Sequence, residues 1–394
     1  MTDKPTAPRV ESVDMLRGVV MVLMVLDHTR DFFSDVNFNP TDLARTTTGL
    51  FLTRWVTHFC APVFALLAGT GAYLAGARGM SRRELARFLV TRGLWLVFLE
   101  QTVESFGLTF WPTPGLFLGL VLWSLGWSMV ALGVMVAAGI NSRVIGAVGV
   151  VIMAGHNLLD GRADLFGPLA PVVRFLHEPG LVGVPGKTAV LFSGYPLLPW
   201  FGVVAAGYGL GEVFRLDAAR RFRILLGLGV SLTVGFVLLR GVNAYGDPVP
   251  WAPRSDATGT LLAFINCLKY PPSLLFLMMT LGPALIALAW FDRGLAATSF
   301  GRPLVTLGRV PLFYYLAQWY VIHGLAVAVA LASGKPAGWL FSTALPPSAP
   351  PESQYGLPVV YLMWGVVVAI LYGLSVWFGE VKRRNRGAWW VGYV

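Results

Sequence analysis

Apolar residues run for bilayer-crossing lengths at ten places along the chain: 15–33, 53–77, 86–107, 116–140, 143–159, 196–214, 221–240, 270–291, 308–332 and 357–379. A helix needs about 20 such residues to cross hydrocarbon, and the pattern predicts an all-α polytopic membrane protein of about ten transmembrane helices, nine to eleven being the bracket. The connections at 160–195, 241–269 and 333–356 are long and rich in Pro and Gly, whereas most of those at the opposite ends of the spans are short and basic. Any elaborated surface therefore lies on one side. No internal repeat stands out. The first 17 residues are polar and no small-residue cleavage site follows the apolar run, so the expectation is an uncleaved first helix. This divides the chain into a cytoplasmic segment 1–14, one transmembrane domain 15–379 and a basic cytoplasmic tail 380–394.

Composition agrees: 56% of residues are hydrophobic and 13% charged, against about 25% charged in ordinary soluble domains. The net charge of +10 would suggest nucleic acid in a soluble protein. Here 20 of the 30 Lys and Arg fall on the side of the N-terminus, which is the bias of cytoplasmic loops, so both termini are expected inside and no nucleic-acid partner is expected. Cys60 and Cys267 have no CxxC spacing and no HExxH occurs, so no metal is expected. There is no Walker motif or dinucleotide fingerprint, and the 45 glycines fit close helix packing in lipid.

The chemistry is concentrated in the first helix. Arg17 and His28 are eleven residues apart, three helical turns plus about 20°, so they share one stripe at a separation of roughly 16 Å. Asp14 and Asp31, each three residues away, are placed to pair with Arg17 and His28. A neutral histidine beside a carboxylate can take and return a proton, as activation of a hydroxyl or amine for acyl transfer requires. The alternative is an Arg17 that anchors at headgroups and a His28 that hydrogen-bonds across a helix interface. Glu100 and Glu104 share a face of the third span, either lining a cavity or pairing with Arg30, Arg54 or a histidine.

The spacing of Arg17 and His28 resembles the first-helix motif of acyltransferase-3-type membrane enzymes. The opening Val13, Asp14, Arg17, Gly18, then Leu23 to His28, is similar to bacterial relatives of heparan-alpha-glucosaminide N-acetyltransferase. So are Tyr195-Pro196 with Pro199-Trp200, Lys269-Tyr270-Pro271-Pro272, and Gly308-Arg309 with Pro311, Tyr314 and Tyr315, with His323 following. The loop 34–52 contains no histidine, unlike the lysosomal enzyme, so His28 is matched only to the acyltransferase-3-type motif. The resemblance implies acetyl-CoA or another acyl-CoA entering from the cytoplasm, and a sugar, glycan or lipid-linked acceptor on the outer side of a bacterial inner membrane. A homo-oligomer is compatible with it. On this reading His28 is the base, with Asp31 or Asp27 as orienting partner and His58 as the alternative histidine. Arg17 lies along the donor path, Arg78, Arg82, Arg83 and Arg87 face CoA phosphates, and Glu100 and His323 approach the acceptor. Tyr195, Trp200, Tyr270 and Tyr314 line a carbohydrate mouth, although Tyr and Trp also gather at membrane interfaces for physical reasons. The rival class is a transporter or export partner for a lipid-linked or anionic solute, using the same intramembrane charges as a path.

Overall fold

The computed structural model describes residues 9–112, 115–183, 190–342, 350, 353–385 and 387–393. Lys4, Lys187 and Arg386, counted in the charge balance, lie outside the described residues. Helix α1 is Glu11–Phe33. Helix α2, Thr48–Val56, continues through a tight turn into α3, Cys60–Gly76. Helix α4, Arg82–Leu99, starts at a capping box in which the Ser81 and Glu84 side chains each take the other's backbone N–H. It passes through a π-helical turn, Glu100–Glu104, into α5, Ser105–Thr109. Then come β1 Leu116–Gly119, α6 Val121–Ala137, α7 Ser142–Gly155, α8 Ala170–His177, β2 Gly180–Gly183 and β3 Val190–Ser193. The remainder is helical: α9 Leu197–Leu210, α10 Ala218–Val242, α11 Ala257–Ile265, α12 Leu274–Phe291, α13 Gly301–Gly308, α14 Pro311–Ala332 and α15 Leu357–Arg384.

The all-α polytopic expectation is borne out, and each of the ten apolar stretches contains a helix. Among the described residues, seven helical segments are long and apolar enough to span a membrane by those measures alone. Helices α1 and α4 fall outside that set because they carry the charges discussed below, and α6 because it has 17 residues. The predicted span 116–140 is divided: Leu116–Gly119 is a strand, paired parallel with β3, which pairs antiparallel with β2. The short helices α8, α11 and α13 were not separate expectations.

Helix α1 is locked by glycines. A Cβ at Gly18 would collide with the backbone carbonyl of Leu304 on α13, and one at Gly308 with that of Asp14, so the two helices meet backbone to backbone. Gly69 on α3 and Gly207 on α9 make the same kind of contact with Val204 and Leu66. The predicted tail is helical to Arg384, after which residues 387–393 turn back onto α4. There the Arg92 guanidinium donates to the Gly392 carbonyl at 2.5 Å, and the Thr91 and Tyr393 hydroxyls lie 3.0 Å apart.

Candidate active site

Helices α1 and α3 each present one stripe to the same interior. On α1 it runs from Val10, the residue before the helix, through Val13, Asp14 and Arg17, then Met24, Asp27 and His28; on α3 it passes through Cys60, Ala61, Phe64, Leu67, Ala68 and Gly71. These are steps of three and four residues, as one helix face requires. The arginine-rich end of the stripes walls a cavity of about 480 Å³. Arg9, Arg17, Arg78, Arg92, Arg309 and Lys382 line it, with Asp14 as its acid. Asp14 is buried and clasped: Arg9 Nε donates to it at 2.5 Å and Arg17 Nη1 at 3.0 Å, while Arg17 also donates to the Gly308 carbonyl at 3.0 Å. The expected Arg17–Asp14 pair is thus present. Deeper walls are apolar, from Leu67, Ala68, Leu96, Leu125 and Met129.

The arginines chosen from sequence on α4 are displaced from this cavity. Phe88, Arg92 and Leu96, spaced by four, face it, whereas Arg82, Arg83 and Arg87 are exposed and outside its lining. Arg83 and Arg87 belong to a different four-residue row of the helix, and about 100° of rotation per residue is enough to turn that row away.

At the other end a small pocket of about 30 Å³ is lined by Asp27, His28, Cys60, Tyr195, Lys269 and Tyr315, together with Met24 and neighbours from α3. Phe64, Val121 and Tyr315 belong to the walls of both spaces, so the small pocket abuts the large one. The His28 ring lies nearly parallel to Trp319, with centroids 4.0 Å apart, and its Nδ1 is buried without a hydrogen-bond partner among the described residues. The expected Asp31–His28 pair is replaced by another. Arg30 takes Asp31 at 2.6 Å and Asp27 at 3.1 Å, and Asp27 also accepts from Arg54. Arg30 sits one turn beyond Asp27 and next to Asp31, so its fixed fork reaches both carboxylates.

The remaining candidates divide. His58 is buried but faces away, edge-on to Phe276 with centroids 5.3 Å apart, because it lies one residue off the Thr57–Cys60–Ala61 stripe. Tyr195 lines the pocket, its hydroxyl 3.4 Å from that of Tyr270, and Trp200 packs behind it at 5.2 Å between rings. Tyr314 is enclosed in a separate core cluster and does not join this aromatic group; its neighbour Tyr315 does the lining. His323 stacks flat on Phe110 at 3.8 Å and its Nδ1 meets the Gly107 carbonyl at 3.0 Å, outside the pocket lining. Among the described residues Glu100 and Glu104 pair with neither arginine nor histidine. Glu100 accepts from the backbone N–H of Leu120 at 2.5 Å and Trp123 at 2.6 Å, capping the start of α6, and Glu104 accepts from the Tyr315 hydroxyl at 2.6 Å.

Three participants escaped the sequence reading. Lys269 lines the pocket, Tyr315 stands where the two spaces meet, and Trp319 supports the His28 ring. The motif containing Lys269 was visible, but not that its side chain reaches back to α1. Among the described residues no group of three His, Cys, Asp or Glu could hold a metal ion.

A comparison with curated proteins finds no match. The model of the family described as heparan-alpha-glucosaminide N-acetyltransferase, catalytic, matches residues 9–237. That region carries both stripes and His28, and stops short of Lys269 and Tyr315. It is more than half of the chain, which belongs to this family of membrane acetyltransferases.

Proposed function

We propose that this protein takes an acetyl or other short acyl group from acyl-CoA, held in the large cavity from the cytoplasmic side, and transfers it at His28 to a hydroxyl or amine of an outward-facing sugar, glycan or lipid-linked acceptor. The observation that carries the reading is the junction itself: a cavity with six cationic side chains around it shares Phe64, Val121 and Tyr315 with the pocket that contains His28. Arginine fits phosphate through paired, charge-assisted bonds, which suits the nucleotide end of CoA. The apolar inner walls suit its long, uncharged arm. The small pocket has room for an acyl head of a few atoms and little more.

In the transfer the acceptor's lone pair attacks the thioester carbonyl carbon. A C–O or C–N bond forms and the C–S bond breaks. His28, in its neutral form, takes the acceptor's proton and delivers it to the departing CoA sulfur. Trp319 fixes the ring plane by stacking, and Asp27 and Asp31 supply negative charge near the imidazole as it gains its proton. Both carboxylates are held by arginines, which keeps them from swinging toward the ring.

The test is calorimetric titration of acetyl-CoA and CoA into purified protein, with Arg92→Ala and His28→Gln variants. Arg92→Ala is expected to weaken both ligands about tenfold, equivalent to roughly 1.4 kcal/mol. His28→Gln is expected to keep binding and lose transfer by about 10²–10⁴. Folded wild-type protein that takes up neither ligand would end the acyl-CoA reading and favour transport.

A further inference from the structure

Lys269 is buried to 8% exposure and lines the His28 pocket. Among the described residues no carboxylate lies within ion-pairing distance of its ammonium, which sits 5.1 Å from the centroid of the Tyr270 ring. The carboxylates nearest the site are already engaged: Asp27 by Arg54 and Arg30, Asp31 by Arg30. Around His28 the local charges are therefore two acids against three bases, and Lys269, hydrogen-bonded to the Tyr270 side chain, is the one without a carboxylate. A buried ammonium without a counter-charge is costly, and such a group persists where a ligand or a reacting atom completes it.

The backbone that carries Lys269 is held tightly. The Asp247 carboxylate accepts from Leu268 N–H at 2.9 Å and from the Ser273 hydroxyl at 2.8 Å, and Ser273 N–H closes on the Leu268 carbonyl at 3.0 Å. Lys269 and Pro272 face each other across this turn. A cation fixed before any ligand arrives, in a pocket of about 30 Å³ beside a histidine, has the form of an electrophile aimed at developing negative charge.

We infer that Lys269 is a catalytic residue whose ammonium donates to the thioester carbonyl oxygen of the acyl donor and holds the oxyanion when the acceptor attacks; this rests on the acyl-CoA reading above. The carbonyl π pair moves onto oxygen as the new C–O or C–N bond forms, and returns as the C–S bond breaks. Lys269 keeps its proton throughout, and the proton that moves travels through His28.

The experiment needs no knowledge of the acceptor. Isotope-edited infrared spectra are recorded for acetyl-CoA carrying ¹³C at the carbonyl, bound to wild type, Lys269→Met and Lys269→Arg, each at protein concentrations set by its own calorimetric affinity. The carbonyl stretch should fall on binding to wild type, return toward its solution value in Lys269→Met and fall again in Lys269→Arg. Hydrolysis or transfer should drop about 10²–10³-fold in Lys269→Met with CoA affinity kept within threefold. If wild type binds acetyl-CoA with no lowering of the stretch, or Lys269→Met shows the same lowering, the assignment is overturned. If Lys269→Met does not fold, Lys269→Gln takes its place and the wild-type spectrum decides by itself. Failure of wild type to bind acetyl-CoA at all is a separate outcome, and overturns the acyl-CoA reading together with this one.

Discussion

At the residue scale, the ion cluster beside His28 behaves as a unit. Asp27 is a mostly buried carboxylate whose charge is met by Arg54 and Arg30. Removing one partner from such a pair strands the other, and costs about 3–5 kcal/mol when burial is deep. Arg54→Ala should therefore lower the melting temperature sharply, while Arg54→Ala combined with Asp27→Asn should recover much of the loss; thermal unfolding of the two variants checks it. Additive losses would show that the two residues do not depend on each other. The helical period alone put Arg17 and His28 on one stripe, and both line the interior, because that period is a local property. The partner of Asp31 was misread for the opposite reason. Spacing offered His28, but the long, forked side chain of Arg30 reached the carboxylate first. Lys269 was legible as part of a motif but not as a site residue, since its burial depends on a turn closed by Asp247, 22 residues earlier in the chain.

At the element scale, the contact of α1 with α13 sets where the stripe points. Gly308→Val would push a side chain into the Asp14 carbonyl, and overpacking of this kind costs about 1–3 kcal/mol. We expect Gly308→Val to reduce acetyl-CoA affinity as well as thermal stability, because Asp14 and Arg17 line the cavity on the same turns of α1. Calorimetry on protein that still elutes as a single species checks it, and unchanged affinity would separate the packing from the cavity. Most helices were legible from apolar run length, which hydrocarbon thickness imposes. The exceptions have physical reasons. Leu116–Gly119 is apolar and adjoins α6, so the strand and helix merge into one hydrophobic run, and only pairing with β3 separates them. Glu100 and Glu104 looked like partners for cations, yet one of them completes the hydrogen bonds of a helix start, a demand that no side-chain pattern records.

At the scale of the whole molecule, the connection after α7 is fastened to α8 and α12 by polar groups. Asp160, just beyond α7, accepts from His177 Nε2 on α8 and from Asn157 Nδ2, each at 2.8 Å, and Asn157 also takes the Leu274 N–H that opens α12. Burial acts to raise the Asp160 carboxyl, but the hydrogen bonds from His177 and Asn157 outweigh it and hold the group below its ordinary value. A carboxyl lowered by folding contributes stability above its unfolded pKa, about 3.9, and that contribution fades as pH drops through the lowered value. Asp160→Asn should therefore melt below wild type at neutral pH, with the gap closing under about pH 4; melting curves across that range check it, and a constant gap would remove the carboxylate from the account. The large cavity draws its walls from Arg9, just ahead of α1, and from Val391 and Gly392, beyond α15. On a ribosome, then, α1 to α15 are all made before that wall of the cavity exists. A chain cut just before Val391 would keep every one of these helices yet lack part of the cavity wall, so a ligand caught in that cavity during cell-free synthesis would report the folded-back segment and not merely insertion.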